Sequence, residues 1–156
     1  MAYFTPPPGL LVWITKIHTV LYRLTNGVIG GTLPQLEDRG QGTKLDALTV
    51  ILLTTIGRKS AVPRTAPLPC FVYDGRTYLV GSFAGSDRQP AWYLNLLEHP
   101  EVEVQLKSKR RRCRAVTLHG EDRERMWKVI TADWQRYRLY QEKTKREIPL
   151  VELIDI

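Results

Sequence analysis

The sequence has 156 residues, 43% of them hydrophobic and 25% charged, enough for one domain with its own core and unlike the composition of a disordered or collagen-like chain. A formal net charge of +7 and a pI near 9.6 point to a polyanionic partner, which could be a phosphorylated cofactor, a nucleic acid or an anionic membrane surface. Cys70 and Cys113 stand apart from any C-x-x-C or Cys/His cluster, so neither a disulfide framework nor a metal site is indicated, and a reduced cytoplasm suits them.

A Pro tract at 6–8 opens the first element. Leu10, Trp13, Ile14, Ile17, Val20, Leu21 and Leu24 recur at helical spacing, with Thr15, Lys16, His18, Thr19 and Arg23 between them and Asn26-Gly27 as a stop. The pattern predicts an amphipathic helix of about five turns. Its apolar face is expected to dock on its own domain, with His18 solvated on the polar side. Trp13, Tyr22 and Lys16 beside that face also suit peripheral membrane contact through residues 10–24. No signal-peptide pattern occurs, and no apolar run approaches the roughly 20 residues that cross a bilayer. Residues 27–47, rich in Gly and polar side chains, read as an extended loop.

The run at 50–56 is apolar and β-branched, then breaks at Gly57 into a loop carrying Arg58, Lys59, Ser60 and Arg64. A continuous apolar run bounded by a Gly turn predicts a buried strand with these charges at its end. Two guanidinium forks, an ammonium, a hydroxyl and turn N–H groups can clamp a phosphate or carboxylate. The same residues also fit an ordinary solvated basic turn.

Residues 65–72 read as a strand confined to an edge or a bulge by Pro67 and Pro69, which cannot donate to a ladder. Asp74-Gly75 supplies the positive φ values of a type I′ hairpin, and 77–83 returns as its partner. Pro90 opens a short helix over 91–97 that carries Trp92, Tyr93 and Asn95 and closes at His99-Pro100. A hairpin follows, with strands at 101–106 and 114–118. The eight residues between 107 and 114, KSKRRRCR, are placed at its tip, and their lack of interleaved aromatics argues against nucleic acid.

The stretch 121–132 is a charged amphipathic helix with Met126, Trp127 and Ile130 inward. Beyond it Trp134, Tyr137 and Tyr140 share a helical face, a spacing that serves a core as readily as a site. A last strand is expected over 148–154. About six strands in hairpins with flanking helices predict an α+β domain on a small antiparallel barrel.

The segments LLTTIGRKSAVPRTAPL, YDGRTYLVGSFAGSDRQPAWYLNLLEHPEVEVQL, WQRYRLYQ and IPLVEL together resemble the deazaflavin-dependent nitroreductase family of actinobacteria, in uninterrupted order over 48–153. Both the T-T-x-G-R-K-S/T-G-x-P-R and P-x-W-Y-x-N-L elements of that family are present at a similar separation. The resemblance implies a split β-barrel over 48–156, preceded by a helix and loop at 1–47, and reduced coenzyme F420 as hydride donor. It implies that Arg58, Lys59, Ser60 and Arg64 hold the anionic arm of F420. Pro67 would pass close to the deazaflavin, with Trp92 and Asn95 bordering it. Ser82, Trp134, Tyr137 and Tyr140 would line the acceptor side.

Three positions depart from the family pattern. Phe83 replaces a Lys, removing a cationic contact that Arg88 is placed to supply. Ala61 replaces a Gly, which tests whether the turn needs positive φ. Trp134 replaces a Tyr, which removes a hydroxyl used in nitroimidazole reduction. The expected protein is thus a cytoplasmic F420-dependent oxidoreductase, with peripheral contact to the inner face of the cell membrane left open. Its acceptor would be apolar and quinone-like, with nitroaromatics as adventitious acceptors. The rival readings are a non-catalytic lipid or small-ligand carrier on the same barrel, and an FMN-dependent enzyme.

Overall fold

The computed structural model describes residues 8–33 and 48–156; Pro6, Pro7 and residues 34–47 of the loop expected over 27–47 lie outside the described residues. The elements run α1 (Pro8–Leu24), β1 (Thr32–Leu33), β2 (Leu48–Ile56), β3 (Pro63–Pro69), β4 (Phe71–Tyr73), β5 (Arg76–Val80), a short 3-10 turn (Phe83–Gly85), α2 (Ala91–Glu98), β6 (Glu101–Leu106), β7 (Lys109–Thr117), α3 (Gly120–Asp133), α4 (Arg136–Glu142) and β8 (Leu150–Asp155). All pairings are antiparallel, in the path β3-β2-β6-β7-β8-β5-β4 with β1 added to β2.

The sheet curls because its two ends belong to one continuous strand of sequence. Only Cys70 separates β3 from β4, and its N–H bonds Thr49 O at 2.9 Å, so the chain crosses from one edge to the other without a loop. The prolines of β3 sit opposite β2, and among the described residues no strand pairs with the other side of β3, as an edge strand requires. Asp74 (φ 50°) and Gly75 (φ 75°) form the expected left-handed hairpin turn. The barrel interior holds Ile51, Leu53, Leu79, Val104, Cys113 and Val151, while α3 and α4 cover the outer face with Ile130 and Tyr137 against Phe71, Tyr78 and Leu150. Burial pushes both thiols, Cys70 and Cys113, up to about 11, which leaves them protonated and unreactive near neutral pH.

Three expectations are corrected. The basic block is not a hairpin tip: the turn is Lys107-Ser108, and the residues from Lys109 onward are already β7. Alternation survives beneath the charge, since Cys113 and Ala115 face the core while Arg110, Arg112 and Arg114 face solvent. Arg111 bonds Asp155 and Thr77, and Arg112 pairs with Glu101 at 2.6 Å. The segment read as loop also contributes β1, whose Thr32 and Leu33 pair with Thr49 and Leu48.

The third correction concerns α1, which docks by its polar side. Tyr22 is fully buried at 0% exposure beside Val50 and Leu52, and Thr19 is buried with it. The Tyr22 hydroxyl donates to Val50 O at 2.9 Å and accepts from Lys107 N–H at 2.8 Å, tying α1 to β2 and to the end of β6. His18 is not free in solvent: its Nε2 meets Gly30 O at 2.8 Å and folds the turn after the helix back onto it. The apolar residues face outward instead, with Trp13 65% and Leu24 75% exposed. Removing only the phenol oxygen in Tyr22→Phe strands the Lys107 N–H. Stability measured by chemical denaturation is expected to fall by about 1–3 kcal/mol.

Candidate active site

The cationic loop is a tight turn at the end of β2. Gly57 N–H bonds Val62 O at 2.9 Å, and Gly57 O accepts from Ser60 N–H (3.1 Å) and Ala61 N–H (2.7 Å). These bonds turn Arg58, Lys59 and Ser60 outward, and Arg64 follows at the start of β3; all four are exposed. Ala61 has φ 53°, so the position where the family carries Gly does require left-handed backbone.

The turn is braced from behind by α2. Asn95 is buried, and its amide is engaged at both ends: Nδ2 donates to Thr55 Oγ1 at 3.0 Å, and Oδ1 accepts from the Arg58 backbone N–H at 3.2 Å and from Arg58 Nη1 at 3.4 Å. Asn95 therefore holds Arg58 by both its backbone and its guanidinium. Trp92, on the same helix, is half-buried against the barrel core, with its ring edge-on to Tyr93 at 6.0 Å. Pro67 lies half-buried opposite Leu52 on β2.

The residues expected on the acceptor side lie on the loop 81–90, beside the end of α3 and on α4. Ser82 is half-buried and leads into the 3-10 turn, where Phe83 projects at 50% exposure. Arg88 is exposed, its N–H turned onto Ser86 Oγ at 3.2 Å. Gly85 packs directly on α4, where a side chain would meet Tyr140 O at 2.8 Å.

The aromatic stripe divides between packing and open surface. Tyr137 is only 5% exposed and sits edge-on to Phe71 at 5.5 Å and to Tyr140 at 5.9 Å; burial raises its phenol pKa. Trp134 and Tyr140 are half-buried, with Trp134 edge-on to Phe71 at 5.8 Å and Lys143 Nζ 5.6 Å from the Tyr140 ring centre. Tyr140 is thus the phenol of the pair that retains open surface beside the 83–85 turn. Asn95 joins the cationic turn to α2, and Gly85 joins the loop before α2 to α4, so one continuous arc of contacts carries the expected cofactor and acceptor residues.

Two groups that organise this arc were not singled out in the sequence. Arg146 holds the 81–89 loop from beneath, with Gln141 bonding the Arg146 carbonyl, and Asp133 accepts from Tyr73 Oη at 2.7 Å, fixing the end of α3 against β4. Arg146 lies in a Lys/Arg/Glu-rich stretch, 142–147, where nothing in spacing separates it from solvated neighbours.

The strained Ala61 gives a direct test of the turn. Left-handed backbone costs a residue with a Cβ about 1–2 kcal/mol, partly offset by the greater entropy that Gly loses on folding. Ala61→Gly is expected to raise the unfolding free energy by about 0.5–1 kcal/mol in denaturant titration; a loss would mean that the turn does not hold this conformation.

The chain matches the model of the F420H(2)-dependent quinone reductase family over residues 13–155. It is 36% identical over 146 residues to an F420H(2)-dependent quinone reductase of Mycobacterium tuberculosis, covering 91% of this chain and 90% of that one. A second, putative F420H(2)-dependent quinone reductase of the same organism is 32% identical over 103 residues, 66% of this chain and 87% of its own. Among solved structures, an F420-H2 dependent reductase superposes with a TM-score of 0.60 at 36% identity, over 67% of this chain and 92% of that one. Another, described as a domain-swapped dimer, gives 0.62 at 31% identity over 94% and 99%. The chain belongs to the F420H(2)-dependent quinone reductase family.

Proposed function

We propose that this protein reduces a quinone with F420H2, holding the anionic arm of the coenzyme on the Gly57–Arg64 turn and receiving the acceptor between that turn and α4. The observation that supports this reading best is the outward cluster of Arg58, Lys59 and Arg64, with the Arg58 guanidinium already held by a buried amide. The donor set suits a phosphodiester and carboxylates: two planar forks, one ammonium and the Ser60 hydroxyl surround one short turn. F420H2, when bound, supplies the hydride.

The protein's own tasks are orientation, exclusion of water and placement of a hydrogen-bond donor. The half-buried rings of Trp92 and Trp134 would offer apolar walls. Hydride addition leaves negative charge on a quinone oxygen, and the Tyr140 phenol is the donor we assign to it. That charge then takes a proton from the phenol or from water, giving the hydroquinone. Turnover of F420H2 with a naphthoquinone, followed by the absorbance of the oxidised coenzyme, tests the reading directly. Tyr140→Phe is expected to lower kcat about 100-fold while F420 affinity is unchanged, whereas Tyr137→Phe stays near wild type. Equal rates for wild type and Tyr140→Phe would remove the donor. Parallel titration with FMN separates the coenzymes.

The outward apolar face of α1 supports a further part of the proposal, that the protein approaches its acceptor at an anionic membrane surface. Ile14, Ile17, Val20 and Leu24 form this face, with Lys16 and Arg23 on the same helix. Apolar burial and attraction to anionic lipid would add together there. Because one similar structure is a domain-swapped dimer, the oligomeric state is measured first, by sedimentation. Co-sedimentation with vesicles containing phosphatidylglycerol is expected for the wild type and lost in Trp13→Ser/Leu24→Ser. Protein that stays in the supernatant and sediments as a dimer would assign the face to a second copy.

A further inference from the structure

The loop between β5 and α2 contains three successive residues in left-handed backbone: Phe83 (φ 45°), Ala84 (φ 53°) and Gly85 (φ 80°). Two of them carry a Cβ, so the turn is disfavoured by its own sequence and persists only if its surroundings hold it. Its internal bonds are few, Gly85 N–H to Ser82 O and Ser86 N–H to Phe83 O, each 3.0 Å.

One guanidinium supplies most of the hydrogen bonds that hold it. Arg146 donates from Nε to Ser86 O at 2.7 Å and from Nη2 to Ser82 O at 2.7 Å and Gly81 O at 3.1 Å, and its Nη1 reaches Gln89 Oε1 at 3.0 Å. Carbonyls from both flanks of the turn thereby converge on one rigid fork. Lysine could not reproduce this, because an ammonium offers three donors around a point and no plane.

Arg146 is in turn fixed to α4. Gln141, in the last turn of that helix, donates from Nε2 to Arg146 O at 2.7 Å and accepts Ile148 N–H on Oε1 at 2.9 Å. Thr144 Oγ1 donates to Asp87 Oδ1 at 2.7 Å and accepts Arg146 N–H at 3.3 Å, closing a second link between the same two segments. Gly85 lies against Tyr140 O on the other side. Downstream, the loop runs through Gln89 and Pro90 into α2, whose Asn95 holds Arg58.

We infer that Arg146 is a positioning residue for hydride transfer, holding residues 81–89 in the conformation that keeps the 83–85 turn against Tyr140. This role rests on the quinone reductase reading above. It places the support of the acceptor side in the C-terminal segment, outside the residues assigned to touch the reactants. A misplacement of the loop would spoil the alignment of donor and acceptor rather than the capture of either one.

The test compares wild type, Arg146→Lys and Arg146→Met in three measurements: native-state trypsin cleavage after Arg88 mapped by mass spectrometry, F420 affinity, and kcat and KM with a naphthoquinone. Both variants are expected to unfold cooperatively, to be cut after Arg88 about tenfold faster, and to lose about tenfold or more in kcat. The Kd for F420 and the KM for quinone should change less than about threefold, a split that a general loss of folded protein does not produce. Lysine is expected not to rescue. Wild-type kcat in Arg146→Met, rescue of kcat by lysine, or a loss of kcat that merely tracks the folded fraction would overturn the role. Unfolding of both variants would make Arg146 a residue of the fold alone and overturn it equally. A wild type without quinone turnover overturns the underlying reading and this role with it. Wild-type turnover with an undisturbed Arg146→Met overturns only the role.

Discussion

The site depends first on one buried amide. Asn95 has both ends engaged, with its N–H on the Thr55 hydroxyl and its oxygen on the backbone and side chain of Arg58. An amide buried beside the core must be satisfied, since an orphaned donor or acceptor there costs about 1–3 kcal/mol. The requirement works in both directions. It fixes α2 against the end of β2, and it fixes the first cation of the turn in a direction that faces outward. In the proposed role, a coenzyme with several negative charges would meet a partly ordered cation there, so less side-chain entropy would be lost on binding.

Strain lies next to these satisfied groups. Ala61 closes the cationic turn at φ 53°, and Phe83 and Ala84 occupy left-handed backbone at φ 45° and 53° in the loop before α2. Each is held by backbone or guanidinium bonds at its flanks, so both turns keep shapes that their own side chains disfavour. The strand β2 that ends at the cationic turn is apolar on both faces, with the barrel core on one side and Tyr22 on the other. This scaffold would let a few loop residues carry the proposed chemistry.

Much of this arrangement was legible in the sequence. The apolar run ending at Gly57, the prolines of β3 and the Asp-Gly hairpin each follow from local chemistry, and the structure has them as a buried strand, an edge strand and a left-handed turn. The orientation of α1 was not legible. Periodicity gives two faces but not which one is buried, and here a single Tyr22 hydroxyl with two backbone partners outweighed six apolar side chains. The start of β7 was hidden because its arginines obscured the alternation of Cys113 and Ala115, which becomes visible only with β6 and β8 on either side. Asn95 could be placed beside the coenzyme through the family motif, but its link to Thr55 spans 40 residues and has no local signature. Arg146 lacked even a motif.

The central claim is that the Gly57–Arg64 turn holds the anionic arm of F420, and salt-dependent binding tests it most directly. F420 is titrated against wild type, Lys59→Ala, Arg64→Ala and Asn95→Ala by fluorescence at low and high ionic strength. The account predicts wild-type affinity that weakens as salt rises, a loss of about tenfold or more in each variant at low salt, and a shallower salt dependence in the two that lack a cation. An affinity that ignores salt and is unchanged in Lys59→Ala and Arg64→Ala would contradict it.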